Sequence, residues 1–150
     1  MASNANLYQA ALVTAIQALN LTLIPSNEIV ARRRPYNLTG VFRGITIHPL
    51  EDGEIESHGT EAREDIGYPF GISIYVGNDH SVLENIDKVP LWKETIRRKI
   101  INRRTSVTLP SGDTNLITQM AGGKLHLPKE EWRYELSTMF VRCWAREART

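Results

Sequence analysis

Seven of the 17 acidic residues of this 150-residue chain crowd one short stretch: Glu51, Asp52, Glu54, Glu56, Glu61, Glu64 and Asp65, relieved only by Arg63. Clustered carboxylates can hold two metal ions for hydrolysis or share a proton as general acid and base, the chemistry of nucleases and glycosidases. Catalysis of that kind needs its groups held in fixed geometry on rigid elements, whereas acids strung along one excursion stay solvated and ionised. An enzyme is therefore not expected. Four histidines, His48, His58, His80 and His126, lack the His-x-x-x-His or Cys-x-x-Cys spacing of a metal site, although His48 and His58 flank the acidic stretch and could meet across it. Ser111-Gly112-Asp113 has the look of a nucleophile turn, but Leu109-Pro110 and Thr114-Asn115 on its flanks suit a polar hairpin better. Neither a Gly-x-x-x-x-Gly-Lys-Ser/Thr loop nor a Gly-x-Gly-x-x-Gly loop occurs, so nucleotide binding has no support and no cofactor is expected.

Basic groups cluster as well. Lys88, Lys93, Arg97, Arg98, Lys99, Arg103 and Arg104 fall within one segment, and Arg32-Arg33-Arg34 form a second, shorter run. Either set could neutralise DNA phosphates or pair with acids of a partner. No aromatic residues interleave with them and no recognition-helix pattern accompanies them, which argues against sequence-specific DNA binding. The net charge of +1 supplies no global field toward nucleic acid or anionic lipid. The single cysteine, Cys143, sits in the apolar run from Met139 to Ala145 and reads as a buried thiol.

The elements that must position these groups are legible from periodicity. Leu7, Ala11, Ala15 and Leu19, with Tyr8, Leu12 and Ile16, predict a helix over Leu7 to Leu19, capped by Asn4 or Asn6 and stopped after Leu21 ahead of Pro25. Glu28 to Arg34 reads as an edge or partly exposed strand. Gly40 to His48 and Ile72 to Val76 read as antiparallel partners, the second closed by Gly77-Asn78-Asp79. The acidic stretch between them is either an outward extension of that ribbon or an unusually long loop. Ser81 to Lys88 can start a short helix, and Pro90 to Asn102 a longer one, with Trp92, Ile96 and Ile100 along one face. Asn115 to Met120 and Glu135 to Arg146 read as strands separated by Gly122-Gly123 and Pro128. In the last strand Ser137, Met139, Val141, Cys143 and Ala145 share one face and Thr138, Phe140, Arg142, Trp144 and Arg146 the other, so a large apolar group faces each way.

These elements amount to one α+β domain over residues 1–150: a central, mostly antiparallel β-sheet flanked by two main helices, with a long acidic β-hairpin or loop excursion. The longest apolar stretch, Ala10 to Ala18, is far short of the roughly 20 residues that a membrane span needs, so no membrane contact is expected. No positive charge precedes it, which argues against a secretory signal and for assembly in a cytoplasm.

Phe42-Arg43-Gly44-Ile45-Thr46-Ile47-His48-Pro49, followed by Glu64-Asp65-Ile66-Gly67-Tyr68 and the strand Ile72 to Val76, resembles the small tail terminator and neck proteins of tailed bacteriophages. Leu91-Trp92-Lys93-Glu94-Thr95-Ile96-Arg97-Arg98 and the ending Val141-Arg142-Cys143-Trp144-Ala145-Arg146-Glu147 add to it. The resemblance spans nearly the whole chain in element order. It implies a non-enzymatic virion subunit that forms a hexameric ring, caps the tail tube, and touches the tube protein and a head connector or head-closure protein. Other neck subunits, head-closure or tail-completion proteins, share the architecture. Contact with genomic DNA in the channel, through Arg32, Arg33 and Arg34, or a free DNA-contacting module, is the other reading.

The charge layout agrees with a ring, whose contacts join one surface of a subunit to a different surface of its neighbour. The expected interface residues are Glu54, Glu56, Glu61 and Glu64 on the acidic side, Arg97 and Arg98 on the basic side, and Phe140 and Trp144 on the second face of the last strand.

Overall fold

A computed structural model describes residues 3–33, 43–50, 55–60, 62–77, 88–126 and 134–149, with side chains at all of these except 55–58, 77, 124–126 and 134–136. The element order is α1 (Asn4–Gln17), a 3-10 turn (Ser26–Glu28), β1 (Ile29–Ala31), β2 (Arg43–Pro49), β3 (Ile55–Gly59), β4 (Arg63–Gly77), α2 (Val89–Ile100), β5 (Thr114–His126) and β6 (Tyr134–Ala148). This is the α+β fold that the periodicities predict.

The strands form one sheet in the order β1-β2-β4-β6-β5, with β3 lying along β4. Every pairing is antiparallel except that of β1 with β2. The expected match of the two apolar runs holds residue by residue, with Ile45 opposite Ile74 and Ile47 opposite Ile72. Side chains alternate across a pleat, so this register puts Ile45, Ile47, Phe70, Ile72, Ile74, Met139, Val141, Cys143 and Ala145 on one face. These residues and the buried stripe of α1, Tyr8, Leu12 and Ile16, belong to one apolar cluster that also contains Val89, Trp92, Ile96 and Ile100 of α2. Both helices therefore cover the same face of the sheet. Trp92 ties them together by donating its Nε1–H to the carbonyl of Thr22, at 2.9 Å, just beyond α1.

Helix α1 starts and stops earlier than its apolar spacing predicts. Ser3 is the cap, its Oγ accepting from the Asn6 N–H, because Asn4 is drawn instead to Asp113 and Glu147. The chain leaves the helix at Ala18, and Asn20 turns it with φ 50° before Pro25 is reached. Polar side chains of α1 finish the sheet edge: Gln9 donates to the carbonyls of Ile47 and Arg32, and Gln17 to those of Ser26 and Ile29.

Three strand expectations need correction. The predicted strand from Glu28 to Arg34 contracts to Ile29–Ala31, since Glu28 closes the 3-10 turn. Gly122-Gly123 does not separate two strands but lies inside β5, where Gly122, at φ 124°, sits beside a register shift against β6. A glycine accepts that left-handed backbone without the Cβ clash other residues suffer, so a bulge replaces the expected break. The last strand runs to Ala148, two residues past its predicted end. The short helix expected over Ser81 to Lys88 falls outside the described residues, except for Lys88.

Candidate functional site

The acidic stretch resolves as ribbon, not loop. Residues β3 and β4 pair antiparallel, Ile55 with Gly67 and Gly59 with Glu64, and Thr60 closes the turn by accepting the Arg63 N–H at its Oγ1, 3.1 Å away. The hairpin is not a free arm, because β6 pairs with β4 along its whole length, from Gly77 back to Arg63. Its described carboxylates are already engaged. Asp65 grips Arg146 through two bonds of 2.8 and 3.0 Å, which hold that guanidinium even more firmly protonated than usual. Glu64, expected at an interface, pairs within the chain with Arg149 at 3.1 Å. Glu56 has its backbone in β3, while Glu54 and Glu61 lie outside the described residues.

Two further carboxylates lock the start of α1 to the ends of the sheet. Asn4 donates to Asp113, at 3.0 Å, and to Glu147, at 2.7 Å; the same Glu147 oxygen accepts from the Tyr68 hydroxyl. Asp113 also accepts the backbone N–H of Ala148, so the turn at Ser111-Gly112-Asp113 works as a clasp. Tyr8 donates to Asn115 and to the Trp144 carbonyl, and burial, helped by Cys143, Glu147 and Asp113, keeps its phenol protonated well above the ordinary value. The Cys143 thiol is pushed up to about 12 by burial, against weaker opposition from hydrogen bonds with Thr118 and Thr105, which leaves it unreactive at neutral pH.

A polar line on the face opposite the helices was not anticipated from the sequence. His48 Nε2 lies 2.9 Å from Ser73 Oγ, and Ser73 Oγ lies 2.7 Å from Thr138 Oγ1. The other ring nitrogen meets the Pro49 carbonyl, so Nδ1 donates and Nε2 accepts from the serine. A serine donating to an imidazole is the geometry of an activated nucleophile, but Ser73 is fully buried and no substrate can approach it. Burial also holds His48 below the usual imidazole pKa. Thr46 Oγ1, beside this line, has no hydrogen-bond partner among the described residues. The signal was present in the sequence as small polar residues alternating with isoleucines on two paired strands. His48 and His58 do not meet: their partners are Gly71 and Asp65, about 20 Å apart along β4. Among the described residues no three His, Cys, Asp or Glu side chains converge as a metal-ligand set, and no helix is long and apolar enough to cross a membrane.

Arginines gather where α2 ends. Val89, Trp92, Ile96 and Ile100 face the core, which leaves Arg97, Arg98 and Lys99 exposed in the last turn. Asn102 adopts φ 59°, a left-handed conformation that asparagine tolerates, and its N–H bonds to the Thr118 carbonyl at 2.7 Å. The chain is thereby folded back against β5: the Thr118 N–H bonds to the Arg103 carbonyl and Arg104 bridges Ile117. The result is an open cleft of about 660 Å³ lined by Arg97, Arg98, Ile101, Asn102, Arg103 and Met120. Arg98 reaches back to Glu94 at 2.5 Å; Arg97 and Arg103 have no ion-pair partner among the described residues. Arg97 and Arg98 are thus brought together as expected, joined by Arg103.

The remaining candidates sit elsewhere. Arg32 and Arg33 are exposed just past β1; Arg34 lies outside the described residues. Phe140 and Trp144 are half-buried on the sheet face away from both helices, with Arg142 between them. Trp144 lies face-on over Gly67, where a Cβ would meet three atoms of its six-membered ring at 3.0 to 3.1 Å, and its Nε1–H bonds to Gln119.

No family model matches the chain, and no curated protein does. Among solved structures, a chain of the virion of a native gene transfer agent particle shares the fold, with a TM-score of 0.60 over 97% of this chain and 99% of that one, at 12% identity.

Proposed function

We propose that this chain is a structural subunit of a virion of the tailed-phage type, a ring-forming tail terminator that caps the tail tube and joins it to the head. The observation that carries this reading is the end-to-end likeness to a chain from a gene transfer agent virion, in which neither chain leaves more than a few per cent unmatched. The separation of charge supports it, since acids concentrate in one segment and unpaired arginines in a cleft on another. Such a subunit works by contacts rather than catalysis. Its partners are copies of itself, six to a ring, then the tube protein on one side and a head connector or head-closure protein on the other. It is built in the host cytoplasm and resides in the virion. Exposed Arg32 and Arg33 suit non-specific contact with DNA in the channel.

Light scattering on the purified chain tests the ring: a mass near six subunits is expected, either free or on addition to tail ends. Adding the chain to growing tail tubes then tests its position. Arrested growth supports a terminator; unaffected growth with an intact ring moves the chain to the head side, as a head-closure or tail-completion subunit. A monomer that joins neither tubes nor particles ends the reading.

A further inference from the structure

We infer that the arginine cleft at the end of α2 is a socket for the acidic hairpin of a second copy of this chain. The inference rests on the ring reading and names the contact that closes the ring.

The cleft offers two cations without described partners, Arg97 and Arg103, at either side of half-buried apolar groups, Ile101 and Met120. Arginine forks of this kind take carboxylates two bonds at a time. The complementary charge lies in the same sequence. Residues 51–61 carry five carboxylates, Glu51, Asp52, Glu54, Glu56 and Glu61, and no lysine or arginine. Glu54-Ile55-Glu56 repeats in acid form the order of charge and apolar surface along the cleft. Glu64 and Asp65 are not part of this contact, being paired to Arg149 and Arg146.

The sheet prevents the hairpin from reaching the cleft of its own chain. Met120 is opposite Val141, which is opposite Phe70, whereas the hairpin turn ends at Arg63. Seven residues of β4 separate those levels, about 23 Å at 3.3 Å per residue, and two strand spacings add about 10 Å sideways. Both distances run through β4 and β6, paired along their full length, so they cannot close by a local bend. Opposite charges held that far apart on one rigid body meet between bodies. A contact joining two different surfaces propagates head to tail and closes a ring when the rotation allows.

Charge reversal in the full-length chain, read by light scattering at low salt, tests the contact. Arg97→Glu with Arg103→Glu is expected to weaken association about tenfold or more, and Glu54→Lys with Glu56→Lys and Glu61→Lys to do the same. An equimolar mixture of the two variants restores the complementary pairs in alternation, and the ring mass is expected to return. Arg97→Gln with Arg103→Gln provides a milder variant should the reversed one misfold, and circular dichroism checks each fold. A wild-type ring that survives both reversals overturns this contact and leaves the ring reading standing. A wild-type chain that never associates overturns both.

Discussion

Gly71 is where a single missing atom matters most. The His48 ring lies so close that a Cβ at Gly71 would stand 2.5 Å from Nε2, the nitrogen that accepts from Ser73. Gly71→Ala must push the ring aside and break the line to Thr138, and a loss of about 1 to 3 kcal/mol is expected in urea unfolding. The same imidazole makes stability depend on pH. Burial lowers its pKa in the folded chain below 6.5, so the unfolded chain binds the proton more readily. The stability it contributes is complete above pH 6.5 and falls as the pH drops through the folded value. Urea midpoints should decline between about pH 7.5 and about pH 5.5, with a smaller decline in His48→Gln; equal declines would assign the effect to other groups.

At the scale of elements, α2 is anchored by one residue more than by any other. Trp92 is fully buried and is the side chain that hydrogen-bonds α2 to the segment after α1. Trp92→Phe leaves the Thr22 carbonyl without that donor and opens space beneath the helix, at an expected cost of about 2 to 3 kcal/mol. Because α2 positions Arg97 and Arg98, the same variant is expected to loosen the cleft, seen as faster amide exchange from Ile96 to Asn102. Unchanged exchange there would show that the turn at Asn102 and its pairing to Thr118 suffice to hold the arginines.

For the molecule as a whole, the proposed assembly is electrostatic and should respond to salt. Exposed charges separated by more than a Debye length, about 10 Å at 0.1 M salt, are screened from one another. The ring is therefore expected to dissociate progressively as sodium chloride rises from about 0.05 M to about 0.5 M, followed as mass by light scattering. Association that strengthens with salt would point instead to an apolar interface, for which the half-buried pair Phe140 and Trp144 on the uncovered sheet face are the candidates.

By itself the sequence determined the element order, the α+β class and the pairing of Ile45 and Ile47 with Ile74 and Ile72, because hydrophobic periodicity acts locally and needs no knowledge of neighbours. It also located both charge clusters. Only the tertiary structure decided which charges are free. Glu64 and Asp65 look alike in the sequence with Glu54 and Glu61, yet strand β6 brings Arg146 and the segment beyond it brings Arg149 from more than 80 residues away to neutralise them. The same holds for the cap of α1, where Asn4 is taken by Asp113 and Glu147, and for Ser73, whose imidazole partner comes from another strand. Long-range pairing assigns each polar group its partner, and local spacing carries no record of it.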